Sequence, residues 1–267
     1  MRNFRSRIVR PTYSNPPPER IDPLNVPVGV LSYHLKKYEY ACERIRGGSV
    51  LDVACGIGYG SQRLGLVADT VTGVDVSVEA ISAARSRYAS ERVTFEIVDV
   101  ERGLPFDDEE FDAVVCFEAV EHLREPKVLV EEIRRVLRGE GVFILSTPRP
   151  GSGGDPTLNP HHHHQFDLES LRALVAPHFR EIQILGQRRL SCGAQTFVLK
   201  MDPLKLRRLK VARPLARLVA RGLGTKPAET AGPEHYVIDE FGAGRGTDFV
   251  MSCLGRMSTN PVVVDSL

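Results

Sequence analysis

Short apolar runs alternate with helix-like stretches over the first 150 residues, and that alternation restricts the fold more than any other feature of this chain. The runs SVLDVA (49–54), TVTGVDV (70–76), RVTFEIVDV (92–100), FDAVVCFE (111–118) and GVFILSTP (141–148) are rich in β-branched and aromatic residues. Between them lie SQRLGLVA, SVEAISAARSRYA and PKVLVEEIRRVLRG, which have helical composition. Continuous apolar strands separated by helices predict a parallel sheet covered on both faces, because only burial on both sides lets a strand drop its polar alternation. A helix is expected over 30–46, ended by Gly47 and Gly48. After Pro150 the rhythm breaks into a loop, then a helix from Asp167, with Asp167 as N-cap, a strand over 180–187 and a last strand over 248–255. The expectation is an α/β, doubly wound, mostly parallel seven-stranded sheet with helical and loop insertions.

The 267 residues suffice for one large domain. Residues 1–27 are rich in proline and arginine and read as a mobile arm; 28–267 read as a single domain, with a first half over 45–150 and an insertion region over 151–245. Net charge is +1, which gives no chain-wide attraction to nucleic acid or acidic membranes. No apolar run reaches the roughly 18 residues a membrane span needs. The five cysteines, Cys42, Cys55, Cys116, Cys192 and Cys253, are odd in number and scattered, which predicts reduced thiols in a cytoplasmic protein, monomeric or dimeric. A basic stretch over 202–222, interrupted by Pro214, reads as a solvated helix face, and Asp107–Glu110 as a surface turn.

The densest chemical signal is VLDVACGIGYG, residues 50–60. A buried strand carries Asp52 and then meets Gly56, Gly58 and Gly60 before a helix. Glycines in such a turn let backbone amides approach a ligand closely. The next strand ends at Asp75, 19 residues after Gly56, near the spacing at which a carboxylate meets ribose hydroxyls. Dinucleotide sites use G-x-G-x-x-G, but here Asp52 stands four residues ahead of Gly56 and Ser61 takes the third glycine's place.

With D-x-x-x-G-x-G, TGVDVS, FEIVDVERGLPFDDEEFDAVVCFE and RVLRGEGVFILSTP in order over about 45–150, the chain resembles class I S-adenosylmethionine-dependent methyltransferases. The resemblance implies S-adenosylmethionine as cofactor. It places Gly56 and Gly58 along the methionine moiety, Asp75 on the ribose hydroxyls, Val76 against adenine and Asp99 at the adenine amino group. Asp52, Val100 and Tyr38 complete the implied set. His34, Lys37 and Tyr40, in the same helix as Tyr38, are expected to pack.

Glu118-Ala119-Val120-Glu121-His122 follows the fourth run directly. On a helix, Glu118, Glu121 and His122 would share one face, and two carboxylates beside an imidazole repel unless a cation or proton lies between them. A second cluster, Asn159-Pro160-His161-His162-His163-His164-Gln165-Phe166, falls in the loop after the fifth run. E-x-x-E-H followed by H-x-F-D resembles the metal site of small-RNA 2′-O-methyltransferases, which implies Mg²⁺ or Mn²⁺ on Glu118, Glu121, His122 and His164. The pattern N-P-x-H-x-x-x-F resembles bacterial sugar methyltransferases and singles out His162. Four consecutive histidines satisfy both patterns, so the ligand stays open. Any of His161, His162 and His163 not used as a ligand is a candidate catalytic base.

These readings converge on methyl transfer to a sugar hydroxyl of an oligosaccharide or other small-molecule acceptor, assisted by a divalent metal. The rivals are a metal-independent methyltransferase of a quinone, lipid or natural product, a 2-His-carboxylate iron oxygenase, and a non-catalytic cofactor-binding regulator.

Overall fold

The computed structural model describes residues 21–150, 161–190, 232–240 and 248–256. Helix α1 (Val28–Arg44) leads into β1 (Ser49–Val53), α2 (Tyr59–Leu64), β2 (Thr70–Asp75), α3 (Val78–Tyr88) and β3 (Val93–Ile97). Then come β4 (Phe111–Phe117), α4 (Pro126–Val136), β5 (Leu137–Pro148), α5 (Leu168–Val175), β6 (Phe179–Arg189), β7 (Tyr236–Asp239) and β8 (Asp248–Arg256). Local chemistry sets several boundaries. Ser77 caps α3 by accepting from the Ala80 amide, Pro126 opens α4, and Asp167 forms a reciprocal capping box with Ser170 at the start of α5.

All the described strands join one sheet in the order β3-β2-β1-β4-β5-β8-β6-β7. The first five are parallel neighbours, whereas β8 runs antiparallel between β5 and β6. The sequence leads one to expect seven strands; among the described residues the sheet has eight. The extra one is β7, four residues paired with the outer edge of β6 and too short to show a period. Along β4 and β5 successive side chains enter opposite cores. Val114, Cys116, Phe143 and Leu145 pack beneath α4 and α5, while Ala113, Val115, Val142 and Ile144 pack with α1, α2 and α3. Burial on both faces is the physical reason these strands lack polar alternation.

Strand order reverses between β1 and β4, and in open α/β sheets the ligand crevice lies at that point, beyond the carboxyl ends of the strands. The turns leaving β1 and β4 therefore face each other across it. The basic stretch 202–222, Cys192, Asn159, Pro160 and residues 1–20 of the arm lie outside the described residues. The four described cysteines are free thiols. Among the described residues no helix is long and apolar enough to cross a membrane.

Candidate active site

On the β1 side, the turn after Val53 takes three residues into left-handed backbone: Ala54 (φ 57°), Gly56 (φ 57°) and Gly58 (φ 86°). Each glycine has a distinct reason to lack a side chain. Gly56 faces open space, and its amide donates to Asp75 Oδ2 at 2.9 Å. A Cβ on Gly58 would stand 2.6 Å from the Phe95 ring and 2.9 Å from Ala84. One on Gly60 would enter the Tyr38 ring. So Gly56 leaves room above the turn, while Gly58 and Gly60 let α2 settle onto the core.

Asp75 also accepts from the Ser77 amide through Oδ1 at 2.9 Å, so two backbone donors orient its carboxylate. Val76 and Val100 are half-buried beyond the strand ends. Asp99 caps the short 3₁₀ turn Val100–Arg102, accepting from the Glu101 amide at 3.2 Å and pairing with Arg102 at 2.9 Å.

Asp52 is fully buried beneath this turn. It accepts from Ser61 Oγ at 2.7 Å and more weakly from the Tyr38 hydroxyl at 3.4 Å. Burial pushes its pKa up to about 7 despite those two donors, and the charge of Asp75 adds to the rise. Tyr38 thus supports Asp52 from α1, with its own ring buried edge-on to Tyr59 and Phe117.

Across the crevice, Glu118-Ala119-Val120-Glu121-His122 does not form the α-helix the sequence suggests. Glu118 adopts φ 52°, and only Val120–His122 wind into a 3₁₀ turn before α4 begins at Pro126. The cause lies in the neighbouring strand. The Glu118 amide still bonds the Ser146 carbonyl at 3.0 Å, so pairing with β5 outlasts β4 and the chain must reverse sharply. The two glutamates then part. Glu118 Oε1 accepts from Ser146 Oγ at 2.6 Å and meets Lys37 Nζ at 2.8 Å, whereas Glu121 Oε2 accepts from Thr147 Oγ1 at 3.0 Å. Ser146 and Thr147 are consecutive strand residues and point to opposite faces, so each draws its glutamate to its own side.

The structure brings together only part of the expected ligand set. One ligand atom each of Glu121, His122 and His162 lie within 4.8 Å of one another. Glu118 turns instead to Lys37, and His164 Nε2 donates to the Arg124 carbonyl at 3.0 Å, so neither Glu118 nor His164 joins the cluster. Backbone bonds choose among the four histidines: the amides of His163 and His164 both donate to the Glu121 carbonyl, at 2.8 and 3.1 Å, which lays His162 against His122 with ring centroids 4.7 Å apart. His161 and His163 carry exposed side chains. His122 Nδ1 donates to the His161 carbonyl at 3.1 Å and leaves Nε2 as its acceptor, the tautomer that metal-bound imidazoles adopt.

This donor set suits a divalent ion. Glu121 is 2% exposed and its Oε1 is buried with no hydrogen-bond partner among the described residues. Burial, then the charge of Glu118, raise its pKa well above the carboxylate range. An isolated buried carboxylate oxygen is costly, and a cation or a proton relieves it. Two imidazoles with one carboxylate favour Mn²⁺ over Mg²⁺.

Sequence reasoning placed Lys37 among packing residues. Its side chain is fully buried, yet its ammonium lies 2.8 Å from Glu118 and 2.6 Å from Asp248. Asp248, at the start of β8, carries no motif and was not foreseen. A lysine on a buried helix face was the only available signal.

Residues 51–145 match the methyltransferase domain family. The chain has the class I methyltransferase fold. A methyltransferase of Mycolicibacterium smegmatis, named as a probable S-adenosylmethionine-dependent enzyme, is 35% identical over 149 residues, 53% of this chain and 55% of that protein. The ubiquinone biosynthesis O-methyltransferase of Thiobacillus denitrificans is 33% identical over 105 residues, 39% of this chain and 45% of that one. The chain thus spans about half the length of the curated relatives it matches. Among solved structures, an S-adenosylmethionine-dependent methyltransferase from Archaeoglobus fulgidus aligns over 84% of this chain and 93% of its own, with TM-score 0.54 and 18% identity. The [4+2]-cyclase SpnF aligns over 85% of this chain and 82% of its own, with TM-score 0.53 and 22% identity, so the fold by itself does not specify methyl transfer.

Proposed function

We propose that this chain is an S-adenosylmethionine-dependent O-methyltransferase acting on a sugar hydroxyl of a saccharide or glycoconjugate, with a divalent ion held by Glu121, His122 and His162. One observation carries the reading. The turn held by Gly56 and Asp75 leaves β1, Glu121 and His122 follow the neighbouring β4, and the segment after β5 brings His162 to them.

S-adenosylmethionine supplies a methyl group activated on a sulfonium. The chain's part is to bind, align and manage one proton. Asp75, oriented by two amides, would take the ribose hydroxyls, with Val76, Asp99 and Val100 toward adenine and Gly56 and Gly58 along the methionine moiety. Glu121, His122 and His162 would hold the ion, whose chemistry is to lower the pKa of a hydroxyl and fix its direction. Three protein ligands leave room for two vicinal oxygens, which supports a sugar diol as acceptor.

A second reading, metal-independent O-methylation of a small molecule such as a quinol, is favoured by the ubiquinone biosynthesis relatives. Titration calorimetry and labelled transfer separate the two. S-adenosylhomocysteine should bind at least about tenfold more weakly to Asp75→Ala, a loss of about 1.4 kcal/mol. Mn²⁺ should bind the wild-type chain and not His162→Ala, and EDTA should abolish transfer to methyl α-D-mannoside until Mn²⁺ is returned. Transfer that survives exhaustive chelation would sink the metal assignment, and transfer to catechol alone would sink the sugar.

A further inference from the structure

Lys37 is a charged side chain with no exposed surface, and no part of methyl transfer described so far employs it. Removing an ammonium from water costs several kcal/mol, which its two carboxylate partners offset only with good geometry. One of those partners, Glu118, is the first residue beyond β4 and so stands across the crevice from the Gly56 turn, where the strand order reverses. Glu118 adopts left-handed backbone, a conformation that costs a non-glycine residue on the order of 1–2 kcal/mol and persists where surroundings over-determine it. Ser146 supplies that determination twice, through its carbonyl to the Glu118 amide and its hydroxyl to Oε1.

The two oxygens of Glu118 are therefore unlike. Oε1 is tied to Ser146 and Lys37, while among the described residues Oε2 makes no hydrogen bond or ion pair, and the side chain keeps 21% exposure. We propose that Oε2 of Glu118 takes the proton from the acceptor hydroxyl, and that Lys37, with Ser146, is the positioning residue that ties down Oε1 and leaves Oε2 toward the crevice. The inference rests on the methyl-transfer reading and deepens it. It gives the base role expected of the 161–164 histidines to Glu118.

Charge supports the assignment. One ammonium between Glu118 and Asp248 leaves one negative charge over, so the cluster can receive a proton and become neutral. Lys37 of α1 contacts Glu118 directly and bridges it to Asp248 of β8, while Glu121, Tyr59 and Cys116 lie near enough to feel its charge. His34 adds no charge, because burial pushes its pKa down to about 3. In the step, the acceptor O–H bond breaks and its proton passes to Oε2. The oxygen's electron pair forms the new O–CH₃ bond, and the S–CH₃ pair stays on sulfur, turning the sulfonium into a thioether. Glu118 then returns its proton to solvent.

Two measurements test this. Lys37→Met should lower kcat by about tenfold or more with little change in KM, and Lys37→Arg, which keeps a cation beside Oε1, should recover part of the rate. A wild-type kcat in folded Lys37→Met would overturn the role of Lys37. Should that variant not fold, the near-isosteric Glu118→Gln decides alone. It should lower kcat for transfer of labelled methyl to methyl α-D-mannoside or catechol by about 100-fold. S-adenosylhomocysteine affinity should stay within about threefold, a split that a merely structural defect would not produce. Transfer persisting at the wild-type rate in Glu118→Gln would overturn this assignment alone. Failure of the wild-type chain to methylate either acceptor would overturn the methyl-transfer reading along with it.

Discussion

The two banks of the crevice hold their acidic groups by opposite means. On the β1–β3 side the carboxylate of Asp75 is met by backbone amides, that of Gly56 in the turn after β1 and that of Ser77 two residues on. On the β4–β5 side the partners are side chains from remote elements. Glu118 meets Lys37 of α1, Lys37 meets Asp248 of β8, and Glu121 meets Thr147 of β5. Amides pointed by a tight turn are present wherever the turn forms. Buried side-chain pairs exist only once the whole sheet has assembled, and they leave unbalanced charge behind. The first bank is suited to holding a ligand of fixed shape, the second to a reaction in which charge moves.

Asp52 is where this contrast is most open to attack, since it is a buried acid on the amide-rich bank. Its pKa of about 7 in the folded chain lies above the unfolded carboxylate value of 3.8, so folding takes up a proton between those values. The resulting stability is fully present below pH 3.8 and is lost as pH rises through about 7, an increment of at most about 4 kcal/mol. Urea unfolding of the cofactor-free protein from pH 4 to 8 should therefore show a wild-type decline that Asp52→Asn flattens. Parallel curves for the two proteins would mean that Asp52 stays ionised when buried.

A middle-sized effect is expected on the opposite bank. Thr147→Val removes the donor to Glu121 Oε2 and leaves both oxygens of a buried carboxyl without a partner. The cost should be about 1–3 kcal/mol in the metal-free chain, smaller when Mn²⁺ is present. An equal cost with and without the ion would separate Thr147 from the metal cluster. The smallest change belongs to Tyr38→Phe, which deletes only the 3.4 Å contact to Asp52. Stability should fall by about 0.5–1 kcal/mol, with S-adenosylhomocysteine affinity nearly unchanged in calorimetry. A larger loss of affinity would place Tyr38 in direct contact with the cofactor.

Much of this was legible in the chain itself. Two-sided burial writes itself as unbroken apolar runs, so the strands and their helical spacers could be read directly. Left-handed turns favour glycine, so Gly56 and Gly58 announced a ligand turn, and Asp167 announced its helix by capping chemistry. These are local rules in which cause and effect lie within one turn or strand. The second bank follows no local rule. E-x-x-E-H has helical spacing, yet continued pairing with β5 breaks the helix at Glu118 and sends two glutamates to opposite faces. Four identical histidines carry no register until two backbone amides grip the Glu121 carbonyl. The strand β7 is four residues of unremarkable sequence that acquire meaning only from the open edge of β6. Lys37 and Asp248 stand 211 positions apart, and what each becomes depends on desolvation that no window of sequence contains. Chain geometry and turn chemistry are properties of neighbours in sequence, whereas the pairing of buried charges belongs to neighbours in space.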